Sequence, residues 1–175
     1  LRKEANERVM SDGTILKEIR NDEIREIVKE MKAQKVESVA VCFLFSFLNP
    51  QNERAVEEII REEWPEAYIS ISSTILPEFR EFERLSTTVI NSYLGPRMKM
   101  YINNLQKRIK GIGIAVEPYI TQSNGGVMSI SSTVETPVQT ALSGPSAGVM
   151  GAIYVAEKAG YKNIITYDMG GTSTD

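Results

Sequence analysis

A nearly continuous apolar run at residues 39–45 (VAVCFLF) constrains the fold of this chain more than any other stretch. A strand that is covered on both faces has this composition, whereas a strand with one solvated face alternates apolar and polar residues. Amphipathic helical patterns flank the run at residues 21–35 and 50–63, and a second β-rich segment follows at residues 68–71. The order helix, strand, helix, strand predicts an α/β unit whose two strands are parallel neighbours.

Turn and cap signals set the ends of these elements. Asp12-Gly13 favours positive φ angles, so a hairpin between residues 7–10 and 14–19 is predicted. Asparagine and aspartate cap helices because their side chains accept a hydrogen bond from a free N–H group of the first turn. The predicted caps are Asn21 or Asp22 for the first helix and Asn49, followed by Pro50, for the second.

A long helical pattern follows the second strand. Large apolar residues recur three or four positions apart from Phe79 to Tyr93 and resume after Gly95-Pro96. Because proline disrupts the helical hydrogen-bond ladder, this spacing predicts two consecutive helices with a kink between them. The charged residues 78–84 at the start of the pattern are expected to form a solvated helix surface with local ion pairs.

Composition excludes several classes of function. The 175 residues include no histidine, which excludes a histidine-dependent triad or a histidine-ligated zinc site within them. The formal net charge of −3 gives no electrostatic reason to expect nucleic acid or an anionic membrane as a partner. The single cysteine, Cys42, is expected to be a buried structural thiol, which suits a reducing cytoplasm. Since the sequence starts at Leu1 and stops inside a motif, we expect it to be a piece of a longer protein.

The last stretch of the sequence carries the strongest chemical signal. A predicted strand at residues 164–167 leads into Asp168 and then into Gly170-Gly171, and hydroxyl side chains follow at Thr172, Ser173 and Thr174. Adjacent glycines allow successive N–H groups to point at one anion, and an aspartate beside a phosphate is suited to hold Mg²⁺. A hairpin turn with polar decoration is the alternative, and the combination favours a phosphate and metal site.

Two further stretches contain glycine at positions where ligands bind in other folds. Asn124-Gly125 is explained either as a hairpin turn after a strand formed by residues 114–116 and 118–121 or as a second backbone anion site. Ser143-Gly144-Pro145 follows a predicted strand at residues 137–142 and opens a helix rich in small residues, with Ser143 or Gly144 as its cap. Helix N-termini attract phosphate, so Ser143 and Gly144 are candidate ligand contacts. No Walker A sequence is present.

These stretches together resemble one family of enzymes. The sequence Asp-Met-Gly-Gly-Thr-Ser-Thr-Asp at 168–175 is similar to the second phosphate loop of the actin, sugar-kinase and Hsp70 ATPase superfamily. With residues 123–126, residues 143–149 and the segments at 77–78 and 83–88, it resembles the hydantoinase A and 5-oxoprolinase family of ATP-dependent enzymes.

The resemblance implies an α/β fragment of a two-lobed, actin-like (ribonuclease H-like) ATPase fold with a helical connector. Residues 1–83 would complete the N-terminal lobe, and residues 84–175 would supply the connector and the start of the second lobe. It implies ATP and Mg²⁺ as ligands, with Asp168 as the metal residue. The implied nucleotide contacts are Asp168, Gly170, Gly171, Thr172 and Thr174, with Ser143, Gly144, Asn124 and Gly125 as further candidates.

The implied function is the ATP-driven opening of a cyclic amide such as a hydantoin or 5-oxoproline, in the cytoplasm. A second, B-type subunit is the implied partner. A ketone carboxylase subunit is one alternative, and a nonenzymatic ATP-driven switch such as a reactivating factor or chaperone is another. Stimulation of phosphate release by a metabolite would separate the enzymes from the switch.

Overall fold

The computed structural model describes residues 1–172 and residue 174. The chain divides into two compact units, Leu1–Arg97 and Met98–Asp175, and the division falls within a long helix. Among the described residues, no helix is both long enough and apolar enough to cross a lipid bilayer. The two units are considered in turn.

The first unit opens with the predicted hairpin. Strands β1 (Arg8–Val9) and β2 (Ile15–Lys17) pair antiparallel. Gly13 has a φ of +84°, which glycine adopts without steric cost. The Asp12 carboxylate accepts hydrogen bonds from the Thr14 N–H at 2.9 Å and the Thr14 hydroxyl at 2.7 Å. The hairpin prediction is confirmed.

Two helices and two parallel strands form the core of this unit. The two helices are α1 (Asn21–Ala33) and α2 (Gln51–Glu63). The two strands are β3 (Ser38–Val41) and β4 (Tyr68–Ile71), and they pair in parallel as predicted. Their apolar faces meet in one cluster, and the burial of these side chains stabilises the unit. The buried members are Ile24, Val28, Val39, Val41, Val56, Ile59, Ile60, Ala67 and Ile71.

The ends of these elements differ from the predicted ones. Asn21 is the first helical residue of α1 and the cap is Arg20, which makes no side-chain cap bond. Asn49 lies one residue before the cap of α2, yet its Oδ1 still accepts the Gln51 N–H at 3.1 Å. Both cap predictions are therefore wrong by at least one position. The Asn49 side chain still bonds the start of α2 because an Asx side chain can reach the N–H two residues along the chain.

Strand β3 is shorter than its apolar run. Residues 44–48 form a turn, and Phe45 within it has a φ of +59°. Cys42 follows the strand and is only partly buried, so the prediction of a buried thiol is wrong. The apolar side chains after residue 41 therefore cap the end of the sheet rather than extend it. A short helix, α3 (Ser72–Ile75), follows β4 at the same edge.

One helix, α4 (Glu81–Gly111), replaces the two helices predicted for the next stretch. Pro96 lies inside it, so the prediction of two separate helices is wrong. A proline removes one backbone hydrogen bond, but tertiary packing can hold a helix across that gap. Gly95 provides such packing, because the Tyr68 ring occupies the space that a Cβ would fill.

The first half of α4 buries its polar side. Arg84, Thr88 and Asn91 are each 0% exposed. The Asn91 amide donates to the Ser70 hydroxyl at 3.0 Å, and the Ser92 hydroxyl donates to the Val39 carbonyl at 2.9 Å. Five large apolar residues in this half of the helix are exposed, namely Phe82, Leu85, Val89, Ile90 and Tyr93. The predicted solvated surface at residues 78–84 is wrong for Arg84.

The second unit contains a hairpin and two further helices. Strands β5 (Ile120–Thr121) and β6 (Val127–Met128) pair antiparallel, which confirms the Asn124-Gly125 turn. Helix α5 (Ile130–Glu135) follows, and a 3₁₀ helix at Pro137–Thr140 stands where a strand was predicted. Helix α6 (Ser143–Lys158) comes next. Residues 164–167 form no strand pairing, so that strand prediction is also wrong: their side chains have no sheet neighbour among the described residues.

Candidate functional site

The glycine turn near the end of the chain is closed by one backbone bridge. Met169 and Thr174 form an isolated antiparallel β-bridge, and Gly170, Gly171 and Thr172 lie between them. These residues and Asp168 are exposed to solvent. A turn of this kind presents main-chain N–H groups and hydroxyls to a ligand without first unfolding a packed element. The Ser173 hydroxyl and Asp175, which belong to the predicted loop, lie outside the described residues.

Helix α6 begins without a side-chain cap. Its N-cap residue is Leu142, which has a left-handed conformation with a φ of 57° and makes no side-chain cap bond. The predicted caps Ser143 and Gly144 are instead the first two helical residues. Their N–H groups have no intrahelical acceptor, because the first turn of a helix lacks a preceding carbonyl. The helix start therefore keeps free donors and the positive end of the helix dipole.

The Asn124-Gly125 turn uses its own N–H groups. The Gly125 N–H donates to the Gln122 carbonyl at 3.1 Å, and the Gly126 N–H donates to the Asn124 Oδ1 at 2.8 Å. The Gln122 N–H in turn donates to the Gly126 carbonyl at 2.8 Å. An anion could bind these N–H groups only by displacing internal acceptors. The turn explanation therefore accounts for these residues better than a second backbone anion site.

Three of the predicted stretches come together along α6. Gly125 faces Ser146 and Met150, and a Cβ at Gly125 would lie 3.7 Å from the Ser146 Oγ. A Cβ at Gly148 would lie 4.0 Å from the Asp168 Oδ2, which places the carboxylate beside this face of the helix. The small residues of α6 thus face both the hairpin turn and Asp168. A depression of about 420 Å³ at the far end of the helix is lined by none of the predicted site residues.

The side chains around Asp168 would bind a hard cation only together with oxygen ligands from water or another molecule. No group of three or more metal-binding side chains occurs among the described residues. One carboxylate holds Mg²⁺ weakly, and Mg²⁺ usually keeps several waters and binds phosphate oxygens as well. The site therefore fits a metal that arrives with a phosphorylated ligand, and it does not form a preassembled metal cage.

Two charged residues in the first unit were missed by sequence reasoning. Glu53 and Arg84 are both 0% exposed, although neither belongs to a motif with a known chemical role. The signal that could have found Glu53 was its place in the first turn of a helix that follows the carboxyl end of a parallel strand.

Comparison with known families identifies the chain. A family model described as Hydantoinase/oxoprolinase matches residues 84–175, and a model described as Hydantoinase/oxoprolinase N-terminal region matches residues 1–64. The chain belongs to the hydantoinase/oxoprolinase family. This membership confirms the resemblance seen in the sequence.

Individual members of the family align with almost the whole chain. An uncharacterised protein of Methanocaldococcus jannaschii, MJ0964, is 35% identical over 172 residues, which are 98% of this chain and 25% of that protein. Caprolactamase subunit alpha of Pseudomonas jessenii is 33% identical over 175 residues, which are 100% of this chain and 25% of that subunit. The chain therefore spans about a quarter of the length of these relatives.

Solved structures share the fold. The crystal structure of ATP-dependent caprolactamase from Pseudomonas jessenii matches with a TM-score of 0.89 at 32% identity, over 97% of this chain and 25% of that one. The nucleotide-free structure of acetone carboxylase, from work on ATP-dependent acetone carboxylation, matches with a TM-score of 0.85 at 30% identity, over 97% of this chain and 24% of that one. The mixed helix and strand architecture described above is therefore shared with two ATP-dependent enzymes.

Proposed function

We propose that this chain is part of an ATP-dependent hydrolase that opens a cyclic amide of the hydantoin, 5-oxoproline or lactam type. The observation that carries the proposal is the exposed Gly170-Gly171 turn, closed by the Met169–Thr174 bridge and preceded by an aspartate beside the small-residue face of α6. Membership of the hydantoinase/oxoprolinase family supports the reaction class.

In this proposal the turn binds the phosphates of ATP. The N–H groups of Gly170 and Gly171 and the hydroxyls of Thr172 and Thr174 donate to phosphate oxygens, which a backbone nest does without a side-chain cation. The Asp168 carboxylate holds Mg²⁺ through its waters, and the metal would neutralise phosphate charge.

The helix start and the hairpin turn have subordinate roles. Ser143 and Gly144 offer free N–H groups to an anion at the start of α6. Asn124 and Gly125 contact the ligand only through groups that the turn leaves free, such as the Asn124 side-chain N–H. ATP supplies the free energy that makes a stable amide reactive toward water, and the residues of this chain align and neutralise rather than attack.

We extend the proposal to the architecture. Residues 1–83 complete the N-terminal lobe of an actin-like ATPase fold, and residues 84–175 provide the helical connector and the start of the second lobe. Similarity to two ATP-dependent enzymes supports a nucleotide site in this fold. The relatives include a protein named as a subunit, which supports a B-type partner subunit for this one. We assign the enzyme to the cytoplasm.

Phosphate release tests the proposal. The full polypeptide, with its partner subunit, is assayed with Mg-ATP and hydantoins, 5-oxoproline, lactams and simple ketones. We expect one cyclic amide to stimulate release, and Asp168→Asn to reduce that rate at least about 100-fold, since it removes the only carboxylate proposed to hold the metal. Glu117→Gln is the matched control, because Glu117 is an exposed carboxylate of the same unit with no proposed role.

The similarity to acetone carboxylase favours a second candidate, the activation of a ketone for carboxylation. Stimulation by a ketone with bicarbonate, and by no cyclic amide, would select this candidate. ATP turnover that is indifferent to every compound would favour the nonenzymatic switch and would contradict both enzyme proposals.

A further inference from the structure

A buried carboxylate joins the two loops that follow the parallel strands. Glu53 is 0% exposed, and its Oε1 accepts hydrogen bonds from the Phe43 N–H at 2.8 Å and the Ser72 hydroxyl at 2.6 Å. Its Oε2 accepts from the Ser73 N–H at 2.8 Å. Phe43 follows β3, and Ser72 and Ser73 follow β4. One side chain therefore links the segment that follows β3 to the segment that follows β4.

A buried guanidinium binds the backbone of the same residue, Phe43, through its carbonyl. Arg84 is 0% exposed and donates from Nη2 to the Phe43 carbonyl at 2.6 Å. It also donates from Nη1 to the Glu78 carbonyl at 3.2 Å, and it lies over the Phe47 ring at 5.2 Å from the centroid. Phe43 is thus bound through its N–H by Glu53 and through the adjacent carbonyl by Arg84. We call Glu53, the Phe43 backbone and Arg84 the Phe43 clamp.

Residues 43–48 and 76–80, which the Phe43 clamp contacts, each contain one residue with a positive φ angle, and unsatisfied polar atoms lie beside them. Phe45 and Arg80 have φ angles of 59° and 77°, which non-glycine residues rarely adopt. Such residues persist only where the surrounding structure fixes them, and they concentrate at functional sites. Among the described residues, the buried side-chain polar atoms without a hydrogen-bond partner are the Ser73 Oγ and the Arg84 Nε. Both belong to the same cluster.

A purely stabilising role explains this arrangement poorly. Buried charges are desolvated at a cost that hydrophobic residues of similar volume avoid, so ionic groups in a core are weak evidence for stability. Here the two charges bind main chain and make no ion pair with each other. Their effect is to fix backbone at the carboxyl edge of β3 and β4, which is the edge where open α/β sheets bind their ligands.

We propose that Glu53 and Arg84 are positioning residues that act through the Phe43 backbone and the Glu78 carbonyl to preset residues 43–48 and 76–80 as ligand-contacting loops. Their ligand is the non-nucleotide substrate, because the 76–80 loop exposes the Glu78 carboxylate and the Arg80 guanidinium, which can accept from the N–H and donate to the C=O of an amide. The guanidinium lies over the Phe79 ring at 5.5 Å and pairs with Glu83 at 3.8 Å, an exposed and weak ion pair that a ligand can replace. The identity of this ligand rests on the proposed function, whereas the fixing of the loops does not.

Proteolysis tests the fixing of the loops. Trypsin cleavage between Arg80 and Glu81 is followed by mass spectrometry under native conditions in wild type, Arg84→Met and Glu53→Gln. We expect cleavage at this bond to rise at least about tenfold in Arg84→Met, because hydrogen bonds to a charged group are lost from the loop. Cleavage after Lys35, an exposed residue of the same unit, should rise much less.

Ser92→Ala is the matched control, since it removes a buried hydrogen bond from the same helix to β3 without touching either loop. Equal increases at both bonds in Arg84→Met and Ser92→Ala would overturn the proposal, because they would show general destabilisation. Should Arg84→Met fail to fold, the isosteric Glu53→Gln carries the same comparison. The double variant, Arg84→Met with Glu53→Gln, should raise cleavage by less than the product of the two single effects, because both residues bind the Phe43 backbone.

Kinetics of the full polypeptide test the ligand. We expect Arg84→Met to raise the KM for the cyclic amide about tenfold while the KM for ATP stays unchanged. Equal changes in both constants, or no change in either, would overturn the assignment of the substrate to these loops. Wild-type protein without amide-stimulated ATP turnover would contradict the proposed function, and the proteolysis result would then decide the fixing of the loops alone.

Discussion

Helices α2 and the first half of α4 lie against the same two strands but differ in where their apolar residues lie. Helix α2 buries the aliphatic residues Val56, Ile59 and Ile60, as an amphipathic surface helix normally does, and buries polar side chains only in its first turn. The first half of α4 buries Arg84 and Asn91 and leaves large apolar residues exposed from Phe82 to Tyr93. The difference teaches that amphipathic spacing identifies a helix and its stripe, but does not reveal which stripe faces the sheet.

The largest effect that would sharpen this comparison comes from one substitution made in both helices. Ile60 is 2% exposed and Ile90 is 48% exposed. We expect Ile60→Ala to lower the free energy of unfolding by about 2–5 kcal/mol, because it leaves a cavity in the core. Ile90→Ala should cost less than about 1 kcal/mol. Urea unfolding of both variants checks this, and equal losses would show that the α4 stripe is covered in solution.

The buried polar face of α4 gives the next largest effect. Asn91→Ala removes a donor to the Ser70 hydroxyl inside the protein. We expect a loss of about 1–3 kcal/mol in unfolding free energy, because buried polar groups lose a partner. Asn104→Ala, on the exposed side of the same helix, is the control and should lie within about 0.5 kcal/mol of wild type. A neutral Asn91→Ala would mean that the polar face does not hold α4 to the sheet.

Two glycines of α4 provide a third comparison. A Cβ at Gly95 would overlap the Tyr68 ring, whereas a Cβ at Gly111 would meet nothing within 4 Å. We expect Gly95→Ala to destabilise by about 1–3 kcal/mol through overpacking. Gly111→Ala should be neutral or stabilise by up to about 1 kcal/mol, since alanine has the higher helix propensity. Thermal unfolding distinguishes the two, and two stabilised variants would contradict the close packing at Gly95.

The smallest effect concerns the hairpin, where polar groups are exposed as usual. The Thr14 hydroxyl and N–H lower the pKa of the Asp12 carboxyl below its ordinary value. A lowered pKa contributes stability above the unfolded-state pKa, and that stability disappears as the pH falls through the folded-state value. Asp12→Ala should therefore be less stable than wild type at neutral pH and converge with it below about pH 4. Thr14→Val should weaken the dependence of the unfolding free energy on pH. Parallel curves of unfolding free energy against pH for wild type and Asp12→Ala would contradict this prediction.

Sequence reasoning succeeded where the determining interactions are local. Asp12-Gly13 and Asn124-Gly125 form hairpin turns because their backbone preferences decide the conformation on their own. The parallel pairing of β3 and β4 followed from the order of elements. The family was identified by motifs, which carry more information than composition or periodicity.

Sequence reasoning failed where residues far apart in the sequence determine the local structure. Two helices around Pro96 were predicted from local preference, but one helix forms, and packing of Gly95 on Tyr68 helps to hold it together. The segment at 164–167 has the composition of a strand but finds no neighbour among the described residues. Arg84 was assigned to the surface because charge usually lies there, and its partners are carbonyl groups that no sequence pattern reveals. The ligand contacts at Gly170 and Gly171 remain predictions.

Among the residues that the structure describes, one bridge closes the Gly170-Gly171 turn, and this has a consequence for dynamics. One backbone bridge between exposed residues makes a local opening event inexpensive, so the amide protons of this turn should exchange with water far faster than those of β3 and β4. A nucleotide that binds there would restrict this opening and slow the exchange of a few adjacent amides. Binding would therefore be visible as local protection while the rest of the exchange pattern stays constant.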